Sequence, residues 1–320
     1  MPGMPPSTFQ ARRRLLAGLT LSILLAACQT APVSVPPVPA APPPPETPPA
    51  PPPPPPRPPR IGLALGGGAA RGFAHIGVIQ VLEDAGIRPA LVAGTSAGSL
   101  VAAMYASGKT GREMGQLALT MDEGAITDWA FPTRGLIRGE ALARYVREQT
   151  GGRTIEQMAL PLGIVATDLD SGAPILFQRG DTGAAVRASS AVPAVFQPVR
   201  IGSREYVDGG LVSPVPVRFA RQMGAELVIA VDISLPPDGN ATGDVMKMLL
   251  QTFAIMGRSI NQFELRDADL VLRPLLAGVT SADFSARAKA VQAGREAALR
   301  ALPDLKARIA AFMARSSRPD

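Results

Sequence analysis

The run Leu91-Val92-Ala93-Gly94-Thr95-Ser96-Ala97-Gly98 joins a short apolar stretch to the pattern G-x-S-x-G, and it indicates both the fold class and a candidate reactive group. The apolar residues predict a buried strand over 90–93, and residues 97–106 predict the helix that follows. Strand, glycine-flanked serine and helix together are typical of a nucleophile elbow, which exposes the serine hydroxyl at the end of a strand. The alternative is that Ser96 only caps the helix, a role that Ser99 can also fill.

The same alternation of apolar runs and helical periods extends outward from this segment. We predict further strands over 61–65, 162–167, 174–177, 227–232 and 270–272. We predict helices over 73–85, 140–149, 216–222, 245–265, 286–301 and 303–314. Strands that alternate with helices indicate a layered α/β domain with a mostly parallel sheet.

A serine nucleophile needs a base to take its proton, and the single histidine, His75, precedes Ser96 in the chain. In α/β-hydrolases the histidine follows the serine, and no histidine follows Ser96. The best remaining candidate is Asp208, at a predicted strand end before two glycines, so a serine–aspartate dyad is the leading hypothesis. A free aspartate has a pKa of about 3.9, so the dyad requires partial desolvation and an oxyanion stabilised by other groups. The alternative for Asp208 is an ordinary turn aspartate.

Other titratable residues receive structural interpretations. His75 lies one helical turn after Arg71, and we expect it to bond a neighbouring backbone group or carboxylate rather than to shuttle protons. A conventional Ser-His-Asp hydrolase that recruits His75 remains an alternative. Asp168 and Asp170 follow a predicted strand but lack the glycine turn, so we interpret them as structural.

A glycine loop, Gly66-Gly67-Gly68-Ala69-Ala70-Arg71-Gly72, lies between the first predicted strand and helix. Glycines permit close approach of backbone amides to a ligand, and a helix N-terminus favours negative charge. The loop therefore suits a phosphate or an oxyanion. A dinucleotide site is the weaker interpretation, because Ala69 replaces the middle glycine and Glu83 and Asp84 fall on a helix.

Several of these runs resemble the patatin-like phospholipase family, in the bacterial branch related to neuropathy-target-esterase domains. They occur in the family's order between about residues 61 and 232, namely the glycine loop, Gly94-Thr95-Ser96-Ala97-Gly98, Ala166-Thr167-Asp168-Leu169-Asp170-Ser171-Gly172, Ala188-Ser189-Ser190-Ala191-Val192-Pro193 and Asp208-Gly209-Gly210. Several motifs in a fixed order are more specific than any one of them.

The resemblance implies a three-layer α/β/α patatin-like fold and a serine acyl hydrolase. It implies Ser96 as nucleophile, Asp208 as its direct base, and an oxyanion hole at Gly67, Gly68 and Ala69 with Arg71 nearby. The chain departs from the family pattern at Ala69, where the family has glycine; an alanine amide still donates there unless φ is positive. The implied chemistry needs no cofactor and no metal.

The N-terminus resembles a bacterial lipoprotein signal. Arg12, Arg13 and Arg14 precede a short apolar region over 15–25, which is shorter than the roughly 20 residues that span a bilayer. The following Leu25-Ala26-Ala27-Cys28 resembles a lipobox, in which the cysteine is acylated and becomes the first mature residue. The alternative is a plain secretory signal with a cysteine after the cleavage site by chance. The run Arg12-Arg13-Arg14-Leu15-Leu16 also matches a twin-arginine signal loosely. Cys28 is the only cysteine, so no intramolecular disulfide is expected.

Residues 28–60 predict a tether between this signal and the folded domain over 61–320. Eighteen of the 34 prolines lie between residues 31 and 60. Such a run favours extended polyproline II, at about 3.1 Å per residue, although a proline-rich ligand for a partner domain is an alternative. The formal net charge is +6, of which three charges belong to the signal, so nucleic-acid binding is not expected.

The predicted helix over 245–265 carries apolar residues at helical spacing, at Met246, Leu249, Leu250, Phe253, Met256 and Ile260. We expect this face to pack in the core. The alternative is an acyl-chain wall or an interfacial lid, since methionine adapts to varied apolar partners.

Together these features predict an exported, lipid-anchored acyl hydrolase of the bacterial cell envelope, acting on phospholipid or lysophospholipid esters. Gln29 after Cys28 resembles signals sorted to the outer membrane. A non-catalytic envelope adaptor on the same fold is the alternative.

Overall fold

The computed structural model describes residues 57–126, 128, 134–234, 244–280 and 284–316. The predicted signal, Cys28 and most of the predicted tether lie outside the described residues, so these expectations remain predictions.

Ten strands and eight helices occur in the described ranges. The strands are β1 Ile61–Leu65, β2 Leu91–Thr95, β3 Gly135–Ile137, β4 Leu162–Asp168, β5 Pro174–Phe177, β6 Ala194–Phe196, β7 Val199–Ile201, β8 Arg204–Asp208, β9 Leu227–Val231 and β10 Leu270–Leu272. The helices are α1 Phe73–Asp84, α2 Ala97–Ala106, α3 Gly111–Thr120, α4 Glu140–Gln149, α5 Thr182–Ser189, α6 Val217–Gln222, α7 Val245–Glu264 and α8 Arg287–Ser316.

Eight strands form one sheet in the order β10-β9-β1-β2-β4-β8-β7, with β5 paired to β4. The strands from β10 to β4 are parallel, whereas β5, β7 and β8 form antiparallel pairs. The predicted α/β architecture with a mostly parallel sheet is therefore confirmed. A separate pair joins β3 to β6 in parallel.

Helices cover both faces of the sheet, which explains why its central strands are apolar throughout. Along β1, Leu63 and Leu65 pack into a large cluster with α1 and α2, while Ala64 faces a smaller cluster with α6. Every residue of β1, β2 and β9 is buried. The sheet is thus the middle layer of the domain.

Helices α1 and α8 approach each other through glycines. A Cβ atom on Gly77 would lie 1.9 Å from the Val291 carbonyl oxygen, and one on Gly294 would lie 1.9 Å from the Ala74 carbonyl oxygen. These contacts place backbone against backbone, so α8 is held closely against the first helix of the sheet.

The C-terminal helices differ from the prediction. We expected two helices separated at Pro303, but α8 is continuous and contains this proline. Proline usually ends a helix because it lacks an N–H group. Here Leu305, beyond the proline, is buried in the main core cluster, so packing on both sides of Pro303 maintains one helix.

The expectation that α7 packs in the core is wrong, because none of the six residues of its predicted apolar face is fully buried. Leu249, Leu250 and Met256 are exposed, whereas Met246, Phe253 and Ile260 are half-buried. The spacing identified a helix correctly, but no other element among the described residues covers its three exposed positions. No helix in the described ranges is both long and apolar enough to cross a membrane.

Candidate active site

The turn between β2 and α2 has the geometry of a nucleophile elbow. Ser96 adopts φ 52° and ψ −125°, a strained conformation for a residue with a side chain. A Cβ on Gly94 would lie 2.4 Å from the Gly98 carbonyl oxygen, and one on Gly98 would lie 2.1 Å from the Leu65 carbonyl oxygen. The two glycines are therefore required by close backbone contacts.

Hydrogen bonds hold the backbone of Ser96 on both sides. Its amide donates to the Ser189 hydroxyl at 2.8 Å, and its carbonyl accepts from the Ser99 hydroxyl at 2.6 Å. Although Ser96 occupies the N-cap position of α2, its side chain makes no capping hydrogen bond. The hydroxyl is thus free of the structural role that we considered as the alternative.

The sheet register brings Asp208 to the same place. On one edge of β4, β5 pairs its Leu176 with Val165 and its Ile175 with Ala166. On the other edge, Val165 pairs with Thr95 at the end of β2, and the next residue, Ala166, pairs with Asp208 at the end of β8. The two strands therefore meet end to end along β4.

This meeting leaves little space between the two turns. A Cβ on Gly209 would lie 2.2 Å from the Val165 carbonyl oxygen and 3.1 Å from Cγ2 of Thr95. Ser96 directly follows Thr95, and Gly209 directly follows Asp208. The structure thus brings together two residues that are 112 positions apart in the chain.

The Asp208 carboxyl group is buried, with 1% of the residue exposed. Its Oδ1 accepts the Gly210 amide at 2.6 Å, while Oδ2 is buried and without a hydrogen-bond partner among the described residues. Burial raises the pKa of Asp208 to about 7, against the smaller lowering effects of the Gly210 amide and the Ser96 hydroxyl. A carboxyl group with this pKa can accept a proton near neutral pH.

The glycine loop lies directly against the serine. A Cβ on Gly67 would be 3.1 Å from Cβ and 3.9 Å from Oγ of Ser96, so a larger residue there would crowd the hydroxyl. A Cβ on Gly68 would be 2.7 Å from Cδ1 of Ile233. The loop is therefore packed closely on both sides.

Hydrogen bonds divide the amides of this loop into two groups. The Gly67 amide donates to the Pro214 carbonyl at 2.9 Å, and the Arg71 amide donates to the Gly68 carbonyl at 3.2 Å. Within the described ranges, the amides of Gly68 and Ala69 have no such partner. Of the amides predicted to form the oxyanion hole, those of Gly68 and Ala69 are therefore the two that are open to a ligand.

Ala69 adopts φ 49°, the left-handed conformation that favours glycine. This is the condition under which we expected an alanine to weaken the predicted oxyanion hole. The strain is accommodated at the start of a short 3₁₀ turn, over Ala69–Gly72, that leads into α1.

Arg71 places a partly buried guanidinium beside this loop. A Cβ on Gly68 would be 3.3 Å from Nε of Arg71, and this Nε is buried without a hydrogen-bond partner in the described part of the chain. Burial lowers the pKa of Arg71, and the nearby Asp232 partly opposes that effect. The group remains a cation near the predicted oxyanion donors.

His75 has the structural role that we expected. The ring is fully buried, and Nε2 donates to the Gly66 carbonyl oxygen at 2.8 Å. Nδ1 is buried without a partner among the described residues. Burial lowers the pKa of His75 to about 4, so the ring is neutral near pH 7. Its hydrogen bond to Gly66 supports the glycine loop, and the ring bonds neither Ser96 nor Asp208.

The two other candidate carboxylates are either engaged in other hydrogen bonds or exposed to solvent. Asp168 is buried, accepts from Arg204 Nη1 at 2.7 Å and from the Ser171 hydroxyl at 2.8 Å, and these bonds lower its pKa to about 2. Asp170 is exposed at the turn after β4. Both arrangements agree with a structural interpretation.

An apolar cavity of about 60 Å³ is lined by Ala97, which directly follows the predicted nucleophile, and by Ala69 of the glycine loop. Met104, Met114 and Phe284 also line it, together with other apolar side chains of α1 and α2. An acyl chain attached to a carbonyl at Ser96 would find an apolar path here. In the described ranges, no three His, Cys, Asp or Glu side chains are placed to hold a metal ion.

Sequence reasoning left Ser189 and the Ser213–Pro214 segment without a role. Ser189 positions the Ser96 amide and donates from its hydroxyl to the Val165 carbonyl at 2.6 Å. The Ser213 carbonyl accepts from the Thr95 hydroxyl at 2.8 Å. Ser189 lies in one of the runs that carry the family resemblance, whereas residues 213–214 have no comparable signal.

Comparison with protein families agrees with this geometry. Residues 63–221 match the family described as patatin-like phospholipase. An uncharacterised NTE-family protein of Mycobacterium tuberculosis is 39% identical over 178 residues, covering 55% of this chain and 49% of that protein. A second one from the same organism is 30% identical over 275 residues, covering 77% of this chain and 47% of that protein.

A mouse protein, patatin-like phospholipase domain-containing protein 6, is 34% identical over 181 residues, or 54% of this chain and 13% of that protein. The chain spans about half the length of its mycobacterial relatives. The crystal structure of VipD from Legionella pneumophila superposes with a TM-score of 0.52 at 16% identity, covering 78% of this chain and 67% of that one. With the family match, this likeness confirms the predicted three-layer α/β/α patatin-like fold.

Proposed function

Because this chain carries a patatin-like phospholipase domain over residues 63–221, we propose that it is a serine acyl hydrolase of phospholipid or lysophospholipid esters. Ser96 is the nucleophile and Asp208 is the base. The observation that carries the proposal is the register of β4, which sets Thr95 and Asp208 on consecutive residues of one strand edge. The family description and the relatives support lipid-ester hydrolysis as the general class of activity.

In the first step, Ser96 Oγ attacks the ester carbonyl carbon while its proton passes to Asp208. The carbonyl oxygen becomes an oxyanion, which the open amide of Gly68 stabilises with the positive charge of Arg71 close by, while the positive φ of Ala69 weakens the contribution of its amide. The intermediate then collapses. The bond to the leaving alcohol breaks, and the alcohol takes the proton from Asp208, leaving an acyl-enzyme on Ser96.

In the second step, a water molecule gives its proton to Asp208 and attacks the acyl-enzyme carbonyl. Collapse of this intermediate releases the fatty acid, and Ser96 Oγ recovers the proton from Asp208. The apolar cavity next to Ala97 holds the acyl chain, which keeps the carbonyl at the serine through both steps.

The direct test is turnover by the purified full chain of a panel of phospholipids, lysophospholipids and short acyl esters. We expect Ser96→Ala and Asp208→Asn each to lower kcat/KM by about 10³-fold or more, because each removes a partner of one proton transfer. Ser107→Ala, at the residue just after α2, and Asp170→Asn are matched controls, and both should keep the parental activity. Retention of activity by Ser96→Ala would contradict the proposal.

His75→Ala separates the dyad from a Ser-His-Asp mechanism. We expect the folded fraction of this variant to keep most of its activity, since His75 bonds Gly66 and not the serine. A loss equal to that of Ser96→Ala would favour the histidine mechanism. Failure of a fluorophosphonate probe to label Ser96 in folded protein would instead favour a non-catalytic adaptor.

The pH profile gives a second test of Asp208. Its carboxylate must be ionised to act as base, and its pKa is raised to about 7. We expect kcat/KM to rise with pH through about 7 and then to level off. If kcat/KM were already at its full value at pH 5 and stayed constant up to pH 8, the role of this carboxylate would be contradicted.

We also propose that Cys28 is acylated and anchors the enzyme in the bacterial envelope, at the outer membrane. The support is the order of basic residues, short apolar region and Leu25-Ala26-Ala27-Cys28. Radiolabelled palmitate should enter the wild-type chain and not a Cys28→Ser variant, and fractionation of the envelope should locate the labelled protein.

A further inference from the structure

Helix α7 exposes a concentration of apolar side chains that the proposed chemistry does not use. Of the twelve large apolar side chains exposed among the described residues, seven are on this helix. They include Val245 at 77% exposure, Met248 at 59% and Phe263 at 65%, with Leu249, Leu250, Ile255 and Met256. At 3.6 residues per turn, all but Leu250 fall within about 120° of one another. They form one outward stripe, here called the α7 stripe.

The opposite side of α7 faces the domain and is mixed in character. It buries Gly257, Asn261 and Glu264, and it half-buries Met246, Phe253 and Ile260. Both polar side-chain atoms of Asn261, and Oε2 of Glu264, are buried without hydrogen-bond partners in the described part of the protein. A surface helix normally leaves its outward side polar. The large apolar side chains that α7 exposes on its outward side therefore indicate that the α7 stripe has an apolar partner.

The helix also borders the proposed active site. A Cβ on Gly210, whose amide bonds Asp208, would be 3.0 Å from the Phe253 ring. A Cβ on Gly257 would be 3.5 Å from Cγ of Pro214, whose carbonyl accepts the Gly67 amide. The Glu264 carboxylate accepts the Ser213 hydroxyl at 2.8 Å. Helix α7 therefore lies next to the segment that carries Asp208.

The exposed charge within α7 is basic, although the exposed Asp244 and Asp267 lie just before and just after the helix. Arg258 is exposed and has no acidic partner among the described residues, and Lys247 forms only an exposed contact of 3.7 Å with Asp244. Glu264, the one acidic residue within the helix, is buried and paired with Arg218 at 2.9 Å. An apolar stripe with two basic residues along one side fits the surface of an anionic bilayer.

We propose that the α7 stripe is a membrane-contact surface that lies in the interface of an anionic bilayer and places the active site over its lipid substrate. The link to substrate rests on the proposed function, whereas the contact itself does not. A second copy of the chain is a poorer partner, because a symmetric contact would bring Arg258 and Lys247 together with their equivalents.

The test compares two triple variants in a full chain that carries Cys28→Ser and Ser96→Ala, so that neither acylation nor hydrolysis affects the result. The test variant is Met248→Gln, Ile255→Gln and Met256→Gln. The matched control is Leu119→Gln, Leu275→Gln and Leu299→Gln, which removes exposed apolar side chains elsewhere. Partitioning onto vesicles of equal parts phosphatidylcholine and phosphatidylglycerol is measured by flotation over a lipid dilution series.

We expect the test variant to lower the partition coefficient at least about tenfold relative to the control, because three apolar side chains leave the interface. Thermal unfolding followed by circular dichroism should be the same for both variants, since all six side chains are exposed. Equal partition coefficients would overturn the proposal. The proposal would also be overturned if the parent chain were a dimer and the test variant a monomer, while the two triple variants had equal partition coefficients.

A charge variant supplies an independent measurement. Lys247→Gln with Arg258→Gln should weaken partitioning on the anionic vesicles several-fold and leave it unchanged on pure phosphatidylcholine. The same loss on both lipids would contradict the electrostatic part of the proposal. Because catalysis is absent from all these variants, failure here leaves the test of Ser96 and Asp208 unaffected.

Discussion

Helices α2 and α7 both carry apolar residues at helical spacing, yet they occupy opposite environments. Helix α2 buries seven of its ten residues against the sheet, directly after Ser96. Helix α7 buries three of twenty, and all three are polar or glycine. Apolar spacing therefore predicts which side of a helix seeks an apolar partner, while the location of the helix decides whether the domain supplies one.

The two regions also differ in how firmly they are held. Around the elbow, Ser96 and Ala69 keep positive φ angles because close backbone contacts and several hydrogen bonds leave no alternative. Each such conformation costs about 1–3 kcal/mol, so the surrounding packing must exceed that cost. At α7, by contrast, buried polar atoms lack partners. Substitutions should therefore have large effects at the first site and small effects at the second.

The largest expected effect is that of Gly98→Ala in α2. The new methyl group would lie 2.1 Å from the Leu65 carbonyl oxygen, a backbone atom of a central strand that has little freedom to move. We expect a loss of more than about 4 kcal/mol in the free energy of unfolding, or no soluble protein. Urea unfolding provides the measurement. A loss below about 1 kcal/mol would show that the elbow is less tightly packed than the structure indicates.

Asp208→Asn tests how much the buried, ionisable carboxyl group of Asp208 lowers the free energy of unfolding. The folded-state pKa is about 7, above the unfolded value of about 3.9, so the folded state binds more protons between these values. The ionised carboxylate therefore destabilises the wild type as pH rises from about 4 to 7. We expect the variant to be more stable than wild type at pH 8, by on the order of 2–4 kcal/mol.

At pH 4 this advantage should be nearly absent, because the wild-type carboxyl group is then protonated in the folded state and about half protonated in the unfolded state. Unfolding by urea at pH 4, 6 and 8 would measure the trend. Asp170→Asn, on the exposed turn after β4, is the matched control. An advantage of Asp208→Asn that is constant with pH would mean that the carboxylate is solvated.

The smallest expected effect is that of Gly257→Ala, the counterpart of Gly98→Ala on α7. The added methyl group would meet Pro214 Cγ at 3.5 Å, an ordinary van der Waals contact. Alanine has the higher helix propensity, so we expect a gain of up to about 1 kcal/mol. The same urea titration measures it. A clear destabilisation would indicate that α7 packs on the 209–214 segment more tightly than these distances suggest.

Much of the fold was predictable from local patterns. The strands at 61–65, 174–177 and 270–272 and the helices at 97–106 and 140–149 match the predicted bounds. Helices α3 and α5 were missed because their segments contain glycine, threonine and serine at positions that interrupt apolar spacing. Helix α8 was divided at Pro303 because packing around a proline is invisible to local propensity.

The candidate site shows the same division. Motif order was enough to select Ser96, Asp208 and the glycine loop for attention. It did not show that the amide of Gly67 is engaged while those of Gly68 and Ala69 are open, because the partner of Gly67, Pro214, comes from a distant part of the chain. The buried state of Asp208, and hence its raised pKa, also depends on neighbours from other elements.

By itself, the sequence determined the α/β class, the elbow and the residues that compete for each chemical role, because local sterics and apolar periodicity act between near neighbours in the chain. The tertiary structure alone decided that β2 and β8 end against consecutive residues of β4, and that α7 leaves seven large apolar side chains exposed. Both depend on contacts between segments that are distant in the chain. Strand register and burial arise from those contacts, so no single segment determines them.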